Sequence, residues 1–318
     1  MNFQNNYTNQ EMDVPFAMYD AFTDAPYSGS QAAIVSHASN ISCESRAKIA
    51  REIGVPATAF VNEVSGNRID VQFFSTVMEL PMCGHGTVCL MTRLVELGLL
   101  PCDRDTWQVA VLDLPKGKAK TEYRRTAEGR IEVMLDVATA QFTAASLDLA
   151  ELAQILGVNL SEISNELPPE VATGDFIHLC LPMRNLAAMR DLQPDFVLLA
   201  KFCVSNGLDT IAAFSTEVVS GTNNLHVRDF CPAVGVSESA AAGTTNAALS
   251  AYLLRNRRIH ADSEGKVQVR AEQGIELGRS SMIITRIEIK DERITRLQVG
   301  GVASRVIEGL LNVNMSTS

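Results

Sequence analysis

Five consecutive residues, Cys83-Gly84-His85-Gly86-Thr87, put a thiol and an imidazole on a glycine-bearing turn. The turn opens an apolar helical run, Thr87 to Leu97, which Gly98 stops. A helix start leaves N–H groups without partners and carries a partial positive charge. Glycine lets a ligand approach that backbone closely. Such a turn can hold a carboxylate and stabilise the anion formed when a neighbouring C–H loses its proton. Cys83, at this place, is expected to ionise below the ordinary thiol value of about 8.5 and to act as a base. His85 is expected to stay neutral, to touch the ligand and to donate or shuttle a proton. The plain alternatives are a core thiol and a satisfied structural imidazole. Gly84, Gly86 and Thr87 are the candidate binding residues of this turn.

The pattern recurs in the other half of the chain. Phe73-Phe74, a turn, Cys83-Gly84-His85-Gly86-Thr87 and an apolar helix are echoed by Asp229-Phe230, a turn, Ala242-Gly243-Thr244-Thr245-Asn246 and an apolar helix to Leu254. An echo at half the chain length suggests duplication of a lobe rather than a short-period solenoid. It adds Gly243, Thr244 and Thr245 to the candidate binding residues. Two such starts facing one cleft would suit a small carboxylate. Glu238, Asp229 and Arg228 stand near the second turn, and Glu238 reads most simply as a solvated loop carboxylate.

The elements that must position these turns follow from periodicity and punctuation. Residues 1–13 read as a flexible lead. Strands are expected at 16–22, 32–35, 58–61, 69–74, 107–112, 118–123 and 131–135, and a helix at 45–53. Residues 139–146 read as loop, 149–156 as a helix, 176–181 as a strand, and 183–192 as a turn with a short helix. A helix at 195–207 and strands at 210–216, 224–230, 267–272, 281–289 and 294–299 complete the second half. The lobes divide as 14–135 and 136–295, with 296–312 returning to the first.

Of the 318 residues, 46% are hydrophobic and 20% charged, which is globular composition with core enough for two domains. The net charge of −10 argues against sequence-independent nucleic-acid binding, which needs a basic face. No apolar run is long enough to span a membrane. The Asn- and Gln-rich start lacks the apolar core of a signal peptide, so a cytoplasmic location is expected. Seven scattered cysteines fit reduced thiols better than a disulfide framework, and no CxxC or CxH spacing suggests zinc.

Six ordered blocks resemble the PhzF-like (phenazine-biosynthesis isomerase) family, within the diaminopimelate-epimerase fold. They are Tyr19-Asp20-Ala21-Phe22-Thr23-Asp24 with Gly29-Ser30-Gln31-Ala32-Ala33; Ile49-Ala50-Arg51-Glu52 through Ala57-Thr58-Ala59-Phe60-Val61; Glu79-Leu80-Pro81-Met82-Cys83-Gly84-His85-Gly86-Thr87; Phe230-Cys231-Pro232 with Gly235-Val236 and Gly243-Thr244; Gln273-Gly274 with Gly278-Arg279; and Val299-Gly300-Gly301. The resemblance implies an α+β chain of two similar lobes, each a mostly antiparallel sheet or barrel wrapped around a central helix. It implies proton-transfer chemistry with neither metal nor organic cofactor, and dimers are common in the fold, so a homodimer is an expectation.

The departures fall at the chemistry. The family's general acid/base glutamate is Ala57 here, the acidic residue before its second glycine turn is Ser239, and an early asparagine is Ser30. If the cleft is otherwise kept, Ala57→Glu should be tolerated. Racemases of the wider fold use paired thiols at the two turns, and the position mirroring Cys83 is Ala242. A single thiol suits tautomerisation, a 1,3-proton shift or β-elimination better than racemisation. The expected function is a cofactor-independent isomerase acting on a small carboxylate, with Cys83 and His85 catalytic and Ser239 among the binding residues. A binding protein that kept the site without the chemistry, and a one-base lyase, are the alternatives.

Overall fold

The computed structural model of the protein describes residues 10–315. The first elements are β1 (Gln10–Ala21), β2 (Ser30–Val35), α1 (Cys43–Ile53), β3 (Ala57–Ser65), β4 (Arg68–Phe74), β5 (Glu79–Leu80) and α2 (Gly84–Glu96). β6 (Gln108–Leu114), β7 (Gly117–Arg125), β8 (Ile131–Asp136), β9 (Gln141–Ala144), α3 (Leu149–Ile155), β10 (Glu170–Thr173) and β11 (Ile177–Pro182) follow. Next come α4 (Leu186–Asp191), α5 (Phe196–Ser205), β12 (Thr210–Ser215), β13 (Leu225–Cys231), β14 (Val236–Ser239) and α6 (Gly243–Arg255). β15 (Lys266–Gln273), β16 (Ser281–Lys290), β17 (Arg293–Gly301) and β18 (Ala303–Met315) end the chain. Within this α+β architecture, no helix of the described residues is long and apolar enough to cross a membrane.

The chain divides into two compact units. One takes the described residues through Tyr27, Gln31–Val133 and those from Val302; the other takes Ser28–Ser30 and Met134–Gly301. β17 stays with the second unit, so the return to the first begins at Val302 rather than at 296.

In the first unit β1 pairs antiparallel with β18 and also pairs with β2. β2 runs parallel to β3, and β3 antiparallel to β4. β4 then pairs antiparallel with β5 and parallel with β6, which turns back into β7. α2 packs on β1, β3 and β18. Every residue from Gly86 to Val95 is buried, Arg93 included through its ion pair with Glu308 at 2.6 Å, which defines a central helix and not a surface one.

The second unit repeats this order. β10 pairs antiparallel with β9 and β11, β11 runs parallel to β12, and β12 antiparallel to β13. β13 pairs antiparallel with β14 and parallel with β15, which turns back into β16. α6 packs on β11, β16 and β17, with Thr245 to Leu253 buried. The pairing order, and a buried central helix in the same place within it, give the sequence echo a structural counterpart. Outer helices fill the rest. Ala50 of α1 joins Val35, Phe60 and Phe74, whereas α3, α4 and α5 bury Leu152, Met189, Leu199 and Phe202 against Leu181 and Ile211.

Local expectations fail in three places. Residues 139–146 are not all loop: Gln141–Ala144 form β9, whose backbone partner is the distant β10. Its mostly exposed residues carry no apolar alternation, so sequence had nothing to read. The flexible lead is also corrected in part. Residues 10–13 belong to β1 and face Met315 to Asn312 of β18, and residues 1–9 lie outside the described residues. Finally, the first central helix starts at Gly84, not Thr87, so the whole glycine turn is its first turn.

Candidate active site

The helix starts divide into two kinds. α1, α3, α4 and α5 each carry a side-chain cap, from Ser42, Asp148, Asn185 and Asp195. α2 and α6 have none: their N-caps are Cys83 and Ala242. A cap satisfies N–H groups that a helix start otherwise leaves free. The two central helices therefore withhold the usual internal partner where glycine opens the backbone.

The uncapped starts are furnished differently. At α2, the thiol of Cys83 lies among the first N–H groups, with His85 and Gly86 donating toward its sulfur. The sulfur is also 3.5 Å from His85 Nδ1. Gly86 cannot carry a side chain without crowding, since a Cβ would come within 3.0 Å of the Phe73 ring and 3.2 Å of Cys83 Sγ. Thr87 is withdrawn from the candidate binding set. It is fully buried, and both its N–H and its hydroxyl donate to the Cys83 carbonyl, at 2.9 and 2.8 Å. Gly84 and His85 are half-buried.

Cys83 does not behave as the sequence suggested. Burial pushes its thiol up to about 12, and the N–H groups of Gly86 and His85 recover only part of that. With 6% of its surface exposed, the loss of hydration outweighs the helix-start field. Burial also moves His85, down to about 4. Near neutral pH the pair is thus a protonated thiol beside a neutral imidazole. A thiolate base is not what this site holds at rest.

At α6, Ala242 leaves the mouth clear. Gly243 and Thr244 are half-buried, and the N–H groups of Gly243, Thr244 and Thr245 carry no cap. Thr245 is buried and its hydroxyl donates to Asp229 Oδ2 at 2.9 Å, so only its backbone can serve a ligand. Ser239 ends β14, half-buried and opposite Asp229. Gln273 braces this mouth: its Oε1 accepts from Ala242 N–H and from Asn246 Nδ2, and its Nε2 donates to the Ser239 carbonyl at 2.8 Å. Gly274 follows with φ +74°, where a Cβ would sit 2.6 Å from the Ala240 carbonyl oxygen. The Gln273-Gly274 motif is thereby explained as the frame of the loop entering α6.

Asp229 stands apart from the other charges near the second turn. It is 2% exposed, burial raises its carboxyl to about 6, and Oδ1 has no partner in ordinary hydrogen-bond geometry. No spacing rule marks it, because only the β12–β13–β14 register brings it beside α6. Glu238 is the reverse case and a correction. It is not a solvated loop carboxylate but a buried partner of Arg228, which donates to its two oxygens from Nε and Nη2 at 2.9 Å each. Arg228 Nη1 is spent on the Met189 and Leu192 carbonyls. This pair borders a cavity of about 400 Å³ with Phe196 and Leu277, and none of the predicted site residues lines it. Both charged groups are saturated, so size alone does not make that cavity the reactive one.

Ala57 opens β3 opposite Ala32 and is 0% exposed. The space a glutamate would need is filled, which overturns the expectation that Ala57→Glu would be tolerated. All seven cysteines are free thiols, Cys43 exposed and Cys83 buried. No cluster of His, Cys, Asp and Glu among the described residues could hold a metal ion.

Comparison with known proteins agrees with this architecture. The family model for phenazine biosynthesis-like protein (PhzC-PhzF) matches residues 19–309. The uncharacterized isomerase YddE of Escherichia coli K12 is 29% identical over 287 residues, covering 89% of this chain and 93% of that protein. The trans-2,3-dihydro-3-hydroxyanthranilate isomerase of Pseudomonas chlororaphis is 27% identical over 288 residues, 90% of this chain and 95% of that one. Among solved structures, a PhzF-family phenazine biosynthesis protein of Bacillus anthracis superposes with a TM-score of 0.85 at 22% identity, covering 96% and 100% of the two chains. A match over nearly the whole length, the doubled pairing order and two uncapped glycine helix starts define the class: this chain belongs to the PhzC-PhzF family. Like its named relatives, it is an isomerase.

Proposed function

We propose that the protein catalyses a cofactor-independent 1,3-proton shift on a small carboxylate, with the proton chemistry carried at the α2 helix start. The observation that carries this is the pairing of Cys83 with His85 at the uncapped α2 start, where the uncapped α6 start has Ala242. The α6 start, with its uncapped Gly243, Thr244 and Thr245 N–H groups and Ser239 nearby, is an anion-binding turn of its own unit. The α2 start, with the Gly84 N–H left uncapped, is assigned to the charge that develops during proton transfer.

His85 and Cys83 then carry the proton. The neutral imidazole takes it from the carbon, and the C–H electron pair enters the conjugated system. The protonated thiol delivers a proton to the far carbon. Transfer from imidazolium to thiolate, across their 3.5 Å contact, restores both groups. The substrate named for the Pseudomonas relative, trans-2,3-dihydro-3-hydroxyanthranilate, is the first compound to try. Incubated with it in D₂O, the wild type should place deuterium on carbon, and His85→Ala should slow this by roughly a hundredfold or more. Binding without any exchange would refute the proposal and leave a binding protein. Full exchange by His85→Ala would remove the imidazole from its role.

A further inference from the structure

The Gln273-Gly274 frame of the α6 start lies between two glutamates that close on one imidazole. His226 is on β13, fully buried, opposite Glu272 of the parallel strand β15. Its Nδ1 is 3.0 Å from Glu272 Oε1, and its Nε2 is 2.9 Å from Glu276 Oε1. An ionised carboxylate only accepts, so both ring nitrogens donate and the ring is an imidazolium. Burial alone would discharge it, but the bonds to Glu276 and Glu272 outweigh burial and leave the imidazole raised.

The two glutamates are held unequally. Glu272 also accepts from the N–H groups of Val219 and Ser220 and from Asn223 Nδ2, so it is fixed in place. Glu276 stands on the turn after β15 with His226 as its side-chain partner, and its buried Oε2 has none. Loss of one ring proton would turn a nitrogen lone pair toward a carboxylate. Glu272 cannot retreat from it, whereas Glu276 can. The other charges about the ring are engaged. Arg228, two residues on and on the same face of β13, is paired with Glu238. Glu217, past the end of β12, accepts from Leu186 N–H. The residue opposite His226 on β12 is the neutral Ser215.

The segment pinned at both ends by this ring is the one that shapes the α6 mouth. Besides the contacts of Gln273 and Gly274 given above, Ser281 Oγ donates to the Ala240 carbonyl at 2.9 Å, and Arg279 N–H closes the turn on the Gly274 carbonyl at 2.9 Å. We infer that His226 is a positioning residue for the α6 start and that its proton latches residues 272–276. With the imidazolium in place the frame is held and the start takes an anion. Without it Glu276 is released and the frame loosens. The inference rests on the anion-binding reading of the α6 start.

Amide NMR of the full chain from pH 7 to pH 10, with benzoate as the probe anion, tests it. Cys83, His85 and Asp229 titrate outside this range, at about 12, 4 and 6. Benzoate affinity read at the Gly243 and Thr244 amides should fall by about fivefold or more, the low end of ordinary coupling between sites, as the His226 ring signals titrate. The Ile275 and Glu276 amides should move with the same midpoint. Glu276→Gln removes one carboxylate from the ring, so the His226 midpoint should drop and the benzoate midpoint with it. Level affinity across the His226 titration, or a benzoate midpoint that stays while that of His226 drops, would overturn the latch and leave the anion turn standing. A ring already neutral at pH 7, or still charged at pH 10, would overturn the latch as well. No response of Gly243 and Thr244 to benzoate in the wild type would overturn both. Should Glu276→Gln fail to fold, the wild-type titration decides alone.

Discussion

Cys83 should be among the slowest thiols in the chain to alkylate. At pH 7.5 a group titrating at about 12 is ionised to roughly one part in 30,000, against about one in ten for an ordinary thiol near 8.5. The ratio is on the order of 3,000. A more basic thiolate is the better nucleophile, and a Brønsted slope of about 0.45 over the difference returns a factor of roughly 40. A deficit of about a hundredfold remains, before limited access lowers the rate further, since only 6% of the residue's surface is exposed. Cys43, exposed on α1, is the internal standard. Pulse labelling with iodoacetamide, followed by peptide mass spectrometry, gives both rates in one sample. The Cys83 rate should still be climbing past pH 10. Labelling of Cys83 as fast as Cys43 at pH 7.5, with a profile that flattens below pH 8, would show a thiolate at rest. The burial argument, and the division of labour between His85 and Cys83 built on it, would then be wrong.

Other substitutions probe the frame around the site. Burial pulls His226 down, but its bonds to Glu276 (2.9 Å) and Glu272 (3.0 Å) outweigh this and leave the imidazole raised. Its stabilising contribution is present below about pH 6.5 and is lost as pH rises through the raised value. Both glutamates end lowered despite burial, so theirs is present above about pH 4.5 and is lost on acidification through the lowered values. His226→Gln should cost about 3–5 kcal/mol near pH 6 and remove the alkaline-side decline in urea-melt stability; an unaltered pH profile would contradict the assignment. Gly274→Ala should cost about 3 kcal/mol or more, because φ is +74° and the new Cβ would meet the Arg279 and Ala240 carbonyl oxygens at 2.5 and 2.6 Å. Benzoate affinity should fall with it if the Gln273 loop frames the α6 start. Ala57→Glu should lower the melting temperature and add no exchange activity, since it buries a carboxylate where no space is open. A stable variant with new activity would restore the view that the site was kept and only its glutamate lost.

The local features of the site were legible because their causes are local. A glycine turn before an apolar run marks a helix start wherever it occurs, and two in one order marked the duplication. What failed was everything set by partners far along the chain. Helix-start chemistry argued for an acidic Cys83. The phenyl ring of Phe73 packed at Gly86, together with the remaining cover, argues the other way, and in a site this dry burial has the larger effect. Strand β9 has no pattern of its own and exists because β10 supplies its hydrogen bonds. Glu238 looked solvated because its loop is short and polar. Arg228, ten residues earlier, reaches it only through the β13–β14 turn. His226 and Glu272 are 46 residues apart, and only the parallel register of β13 and β15 makes them neighbours.

The differences between the halves are therefore the functional signal, more than their likeness. Both units build the same pairing order and bury the same central helix, so symmetry alone would predict equivalent helix starts. The packing beneath them has diverged in compensating pairs. In the first unit the aromatic Phe73 lies against Gly86, where no side chain fits. In the second, a carboxyl, Asp229, takes the strand position echoed by Phe73 and is held by the hydroxyl of Thr245, which stands where the helix has Gly86. The apolar version surrounds Cys83 and His85 and suppresses charge on both. The polar version keeps Ala242 at the N-cap and leaves N–H groups open to an anion, while Asp229 is turned to the interior through Thr245 and Thr210 rather than into the mouth. A carboxylate free to face that mouth would oppose any anion approaching the N–H groups. Its confinement beneath α6 keeps a competing negative charge away from the uncapped N–H groups, while the neutral Ser239 stands at the edge.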